Sequence, residues 1–160
     1  MDVDGTLSDG RLDYDAEWVE SKSFDVRDGF GIWLAHTSGL KTGLVTGRNS
    51  RIVAERAREL SIEIVYQGQF EKVKALDEIR SLTGFELHQI AYVGDDIFDL
   101  PLLLRVGFAA CPADAHEEVR RRAHFVSQFH GGRGAVREII ELILKGQGSW
   151  DRVMQRFCTI

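Results

Sequence analysis

Three short apolar runs, residues 44–45, 62–66 and 90–93, each end in a small polar cluster and are each followed by a stretch of helical periodicity. That alternation predicts an α/β domain on a parallel sheet, a Rossmann-like three-layer arrangement. The clusters are Thr46-Gly47-Arg48-Asn49, Gln67-Gly68 with Lys72 soon after, and Gly94-Asp95-Asp96-Ile97-Phe98-Asp99. Ligands in parallel α/β sheets sit beyond the carboxyl ends of the strands, so segments distant in sequence converge there. A further segment, Asp2-Val3-Asp4-Gly5-Thr6-Leu7, has the same character. Asp2, Asp4, Thr46, Lys72, Asp95, Asp96 and Asp99 are therefore expected to share one cleft.

Alternation along a strand sends Val3 to the face opposite Asp2 and Asp4, and Gly5 lets the backbone turn sharply toward a phosphate. Two carboxylates so placed suit phosphoryl transfer, one attacking phosphorus and the other moving a proton. Asp2 is the candidate nucleophile: a carboxylate is a weak one, but an aspartyl phosphate divides a difficult hydrolysis into two displacements. Asp4 would protonate the departing oxygen and then take a proton from water, work worth ~10²–10⁴-fold in rate. Thr46 would hydrogen-bond a phosphoryl oxygen. Lys72, a compact cation with three donors, would neutralise charge on the phosphoryl oxygens. Each residue also has a plainer reading. Asp95 and Asp96 can cap the helix beginning near Ile97, and a lone Lys72 or Thr46 is ordinary on a helix or strand. The joint order outweighs this, because independent caps and surface charges have no reason to fall at successive strand ends.

In these motifs, Asp2-Val3-Asp4-Gly5-Thr6, Thr46, Lys72 and Gly94-Asp95-Asp96 with Asp99, the chain resembles the haloacid dehalogenase superfamily of phosphatases. The match spans most of the chain. Gly5 to Gly10, Arg27-Asp28-Gly29-Phe30-Gly31, Tyr66-Gln67-Gly68, Gly94-Asp95-Asp96 and Gly131-Gly132-Arg133-Gly134-Ala135-Val136-Arg137-Glu138 are similar to the 3-deoxy-D-manno-octulosonate 8-phosphate (Kdo 8-phosphate) phosphatases. That resemblance implies Mg²⁺ held by the carboxylates of Asp2 and Asp95 and the backbone carbonyl of Asp4, with phosphate oxygen and water completing the shell. It casts Asp96 and Asp99 as supports that orient Lys72 and metal-bound water. Mn²⁺ and Co²⁺ stay open as alternatives.

The coarse order is a β-hairpin flap (about 8–26), then helices alternating with strands. A single domain over 1–146 is followed by a tail, 147–160. Asp28 can cap a helix running to about His36. Asn49 or Ser50 opens the next, another runs from about Phe70 to Thr83, and Val136, Ile139, Ile140, Ile143 and Leu144 follow helical spacing. Trp150 and Phe157 in the tail are expected either to be loose or to dock on another subunit. Asp2 should follow a strand of about five residues, yet only Met1 precedes it, so the first core strand is expected to be missing from this chain.

A chain of 160 residues with 44% hydrophobic and 28% charged residues is ordinary for one compact enzyme domain. The net charge of −5 argues against bulk affinity for nucleic acid or acidic membranes. Arg120-Arg121-Arg122 follows Glu117-Glu118 and reads as a solvated helix face. Cys111 and Cys158 are too few for a disulfide framework, and no signal peptide or apolar run long enough to span a membrane stands out. Cytoplasm is the expected location.

Between Thr46 and Lys72 there is room for little more than one helix and one strand, so no cap domain is expected there. The flap carries Tyr14, Trp18 and Phe24, which on a monomer would need a partner surface. The resemblance implies a homotetramer with the flaps at its centre; a dimer is the alternative. It also places Gly47 and Arg48 at the leaving-group end, where arginine can grip a sugar acid's carboxylate with two parallel hydrogen bonds. Arg133 is a second candidate, acting on a neighbouring subunit's substrate. The expected substrate is a phosphorylated sugar acid, Kdo 8-phosphate or else a sialic-acid-type 9-phosphate. From other classes, a receiver domain and a non-catalytic oligomerisation or regulatory domain remain alternatives.

Overall fold

The computed structural model describes residues 1–158. The flap is a minimal antiparallel hairpin of β1 (Asp13–Tyr14) and β2 (Glu20–Ser21). There follow α1 (Val26–Thr37), β3 (Gly43–Val45), α2 (Arg51–Glu59), β4 (Ile64–Tyr66), α3 (Lys72–Thr83), β5 (Ala91–Val93), α4 (Leu100–Leu103) and β6 (Phe108–Cys111). The chain closes with α5 (Glu117–Arg120), β7 (Phe125–Val126), α6 (Ala135–Gly146) and α7 (Trp150–Cys158). Short 3-10 turns at Leu87–Gln89 and Ile97–Asp99 flank β5. No helix among the described residues is long and apolar enough to cross a membrane.

Parallel pairing joins β3 to β4 with Gly43 opposite Ile64, and β5 to β6 to β7 with Ala91 opposite Phe108. Met1 and Asp2 stitch the two sheets together. The Val45 amide donates to the Met1 carbonyl at 3.0 Å, and the Asp2 amide donates to the Val93 carbonyl at 2.8 Å. Beside Met1 an apolar groove of about 580 Å³ opens between Gly43, Ile64, Ala91, Tyr92 and Ile139. The Met1 terminal amine donates to the Gly43 carbonyl at 2.9 Å.

Two apolar cores cover opposite faces of this sheet, as the alternation of Leu44 and Val45 requires. Leu44 packs with Val3, Ile32, Val53, Val136 and Leu144 from α1, α2 and α6. Val45 packs with Leu76, Tyr92, Leu102 and Val119 from α3, α4 and α5. The helical spacing on α6 holds: Val136, Ile139, Ile140 and Leu144 are buried. Ser50 stands at the N-cap of α2, and Gly84, with φ +73°, ends α3.

Three expectations are corrected. The cap of α1 is Asp25, which accepts from the Arg27 amide at 2.7 Å, and Asp28 lies inside the first turn, fully buried. Its two oxygens accept the amides of Gly134 at 3.0 Å and Arg137 at 2.8 Å, so the start of α6 is pinned from α1. Phe24 is not an exposed flap aromatic; it packs against the first core. The segment after Gly146 forms α7, which lays Trp150 and Val153 on that same core and brings Phe157 within 5.9 Å of Phe30. Replacing Asp28 by alanine strands two amides in or near the core. We expect a loss of about 2–4 kcal/mol, read as a lower urea midpoint with an unchanged slope.

Candidate active site

The turn after Asp2 is built by backbone amides: those of Thr6, Leu7 and Ser8 all donate to the Val3 carbonyl. Gly5 takes φ +90°, and a side chain there would fall 2.1 Å from Asp95 Oδ2, so only glycine lets the turn close against that carboxylate. Gly131 presses on the turn from outside, where a Cβ would sit 1.8 Å from the Gly5 carbonyl. Asp2, Asp4, Thr46, Gly47, Arg48, Asp95 and Asp96 line one cleft of about 450 Å³, with Asp9, Phe70, Phe98 and Asp114 on its walls.

Lys72 and Asp99 lie beneath this cleft, both fully buried. Lys72 is the first residue of α3, and its Nζ reaches Asp2 Oδ1 at 2.7 Å, Asp99 Oδ1 at 2.6 Å and the Tyr92 hydroxyl at 3.1 Å. Asp99 is spent on structure. Its Oδ1 accepts from Tyr92 at 2.7 Å as well as from Lys72, and its Oδ2 accepts the amides of Asp95 and Asp96 at 3.0 and 3.2 Å. Asp96 caps the following turn through the Ile97 amide at 2.7 Å. Thr46, buried at the end of β3, is fixed by its own amide on the Tyr66 carbonyl and by its carbonyl, which accepts from Gln69.

Carboxylate oxygens of Asp2, Asp95 and Asp99 lie within 4.8 Å of one another. This crowding shows in their acidity. Burial pushes the Asp95 carboxyl up from 3.8 to about 8, and the charges of Asp2 and Asp99 add to it, while Thr6 Oγ1, donating at 3.2 Å, opposes the rise. Burial likewise raises Asp2 to about 6, against the pull of Lys72. A hard dication suits this place: the donors are all oxygen, and two buried carboxyl groups crowd together where a cation would offset their charge.

Asp4 faces a different set. Lys22 Nζ sits on its Oδ1, Ser8 Oγ donates to the same oxygen at 3.4 Å, and Arg48 Nε is 3.9 Å from Oδ2. Arg48 itself donates to Glu20 Oε1 at 2.7 Å and to the Tyr14 hydroxyl at 3.0 Å. Lys22 and Glu20 are absent from the set drawn from sequence, although their spacing on one face of an extended strand was a readable signal. Arg133 stays outside the cleft lining; its exposed side chain approaches Asp9 Oδ2 at 3.7 Å.

The haloacid dehalogenase-like hydrolase family model matches residues 48–140. The chain is 42% identical over 151 residues to the 3-deoxy-D-manno-octulosonate 8-phosphate phosphatase KdsC of Escherichia coli K12, covering 94% of this chain and 80% of that one. Its fold superposes on the crystal structure of the Yersinia pestis 3-deoxy-D-manno-octulosonate 8-phosphate phosphatase with a TM-score of 0.92 and 41% identity, over 94% of this chain and 81% of that one. It superposes with a TM-score of 0.95 and 41% identity on the Moraxella catarrhalis phosphatase of that name, solved with magnesium ion, phosphate ion and a KDO molecule, over 98% of this chain and 90% of that one. On the family match and these identities, the chain belongs to the haloacid dehalogenase-like hydrolases.

Proposed function

We propose that this chain is a magnesium-dependent phosphomonoesterase that converts Kdo 8-phosphate to Kdo and phosphate through an aspartyl phosphate on Asp2. The observation that carries the reading is the pairing of Asp2 with the buried Lys72 at the base of a cleft it shares with Asp4, Thr46 and Asp95. Relatives with the named activity at 42% identity support the substrate class.

The Asp2 carboxylate attacks phosphorus while the bond from phosphorus to the sugar oxygen breaks, and Asp4 gives that oxygen its proton. Water then attacks the phosphorus, Asp4 takes its proton, and Asp2 leaves as a carboxylate. Lys72, held by Asp2, Asp99 and Tyr92, offers fixed positive charge to the phosphoryl oxygens without reorganising. The Thr46 hydroxyl serves one of the same oxygens. Asp2, Asp95 and the Asp4 carbonyl would hold Mg²⁺, which when bound neutralises charge between nucleophile and phosphate. Asp96 and Asp99 orient these groups from behind. Arg48, beside Gly47, exchanges Glu20 for the carboxylate of the sugar acid. Arg133 reaches the substrate of a neighbouring subunit in a homotetramer whose flaps meet at the centre, and cytoplasm is the compartment this reading assigns.

Three outcomes test the proposal. Phosphate release from Kdo 8-phosphate should require Mg²⁺ and fall on the order of 10⁴-fold or more in Asp2→Asn; equal turnover by the variant removes the nucleophile. The acidity of Asp95 predicts a linkage. Its folded pKa is raised from 3.8 to about 8, so between those values the folded chain keeps a proton the unfolded chain has lost, and stability falls as pH rises through this window. The metal-free parent should therefore lose thermal midpoint with rising pH more steeply than Asp95→Asn. Because Mg²⁺ displaces that proton, its stabilisation of the parent should be larger at about pH 8 than at about pH 6; parallel curves overturn this. Finally, Trp18 is 81% and Val19 60% exposed on the flap. Trp18→Glu should convert the tetramer to smaller species in light scattering.

A further inference from the structure

Lys22 lies one residue beyond β2 in a flap that is otherwise largely exposed, yet its side chain is 1% accessible. An ammonium leaves water only where oxygens replace it. Here the replacements are Asp4 Oδ1, on which Nζ is seated, and Glu20 Oε1 at 3.3 Å. Glu20 is in turn fully engaged: Oε1 also takes Arg48 at 2.7 Å, and Oε2 accepts from Ser50 Oγ at 2.6 Å at the start of α2. The result is a closed ring from Asp4 through Lys22, Glu20 and Arg48 back to Asp4. Oδ1 of Asp4 is pinned from the flap and by Ser8, whereas Oδ2, among the described residues, has only the Arg48 Nε at 3.9 Å.

We propose that Lys22 is a positioning residue for the proton transfer to the leaving group. By holding Asp4 Oδ1 it leaves Oδ2 as the oxygen that delivers the proton, and Glu20 sets Lys22 and Arg48 as one unit. As the bond from phosphorus to the sugar oxygen breaks, the proton passes from Asp4 Oδ2 to that oxygen, and the carboxylate so formed faces the Lys22 ammonium. The flap thus carries part of the chemistry, since lifting it away removes Lys22 from Asp4. This inference rests on the phosphatase reading above.

The test compares two substrates whose leaving groups differ in their need for a proton. kcat/KM covers events up to departure of the leaving group, so it isolates this step from the later hydrolysis of the aspartyl phosphate. The sugar alkoxide of Kdo 8-phosphate needs a proton to leave, and p-nitrophenolate does not. Lys22→Met should lower kcat/KM for Kdo 8-phosphate by about 10²-fold while that for p-nitrophenyl phosphate stays within about threefold. Lys22→Arg, which keeps the charge, should recover part of the loss, and Glu20→Gln should show the same selectivity at smaller size. These two variants carry the comparison if Lys22→Met does not fold. Equal losses on both substrates assign Lys22 to phosphate binding or plain support and overturn the proposal, as does no loss on either, or a loss on Kdo 8-phosphate that an alkyl phosphate without a carboxylate does not share, which assigns Lys22 to the carboxylate grip of Arg48. A parent chain that hydrolyses neither substrate with Mg²⁺ overturns the phosphatase reading and this role with it, and that result is read before any variant is made.

Discussion

Beneath the cleft a lysine ammonium is held wholly out of water by three oxygens, Asp2 Oδ1, Asp99 Oδ1 and the Tyr92 hydroxyl. Leaving such a charge unpaired costs several kcal/mol, so all three partners must arrive together. They come from separate places: the N-terminal turn, the 3-10 turn after β5, and β5 itself. Register is thereby tied to charge. A slip of β5 by one residue would turn Tyr92 to the opposite face and leave Lys72 short of a partner. The hydrogen bond from the Asp2 amide to the Val93 carbonyl fixes that register from the other side.

The same burial explains the appetite of the site for a cation. Lys72 is shared between Asp2 and Asp99, and Asp95, to whose side chain Thr6 donates, holds a carboxyl raised to about 8. Three carboxyl groups thus share one ammonium in the buried floor. Above it the balance differs, because Lys22 and Arg48 both approach Asp4 and both lean on Glu20. The floor sets one ammonium among carboxyl groups, the rim carries two cations, and the flap connects the two through Asp4.

Much of the fold was legible because it is local. The strand ends at Val45, Tyr66 and Val93, the Gly84 stop of α3 and the apolar face of α6 follow from periodicity and capping. The failures have a common cause. Asp28 looked like a cap because its local sequence allows one, but its carboxylate accepts amides from Gly134 and Arg137, more than a hundred residues away. Phe24 sits in a flap yet packs on the core, and the segment expected as a tail restarts as a helix at Trp150 with Val153 buried. A lysine in a hairpin is nearly always solvated, whereas Lys22 is buried against Asp4 and Glu20.

Sequence by itself determined which groups the chain possesses and their order along it: an Asp-x-Asp pair before a glycine turn, then Thr46, Lys72, Asp95 and Asp99, each at the end of a strand or the start of a helix. That is enough for fold class and family, because backbone periodicity and strand-end placement are set by neighbouring residues. Tertiary structure alone decided which of these groups touch. It placed Lys72 under Asp2 rather than in water, turned both oxygens of Asp99 inward, and brought Lys22 and Glu20 from the flap onto Asp4 and Arg48. Those pairings depend on distances between segments remote in the chain, and the acidity of a carboxylate depends on how much water and how many charges such packing leaves around it.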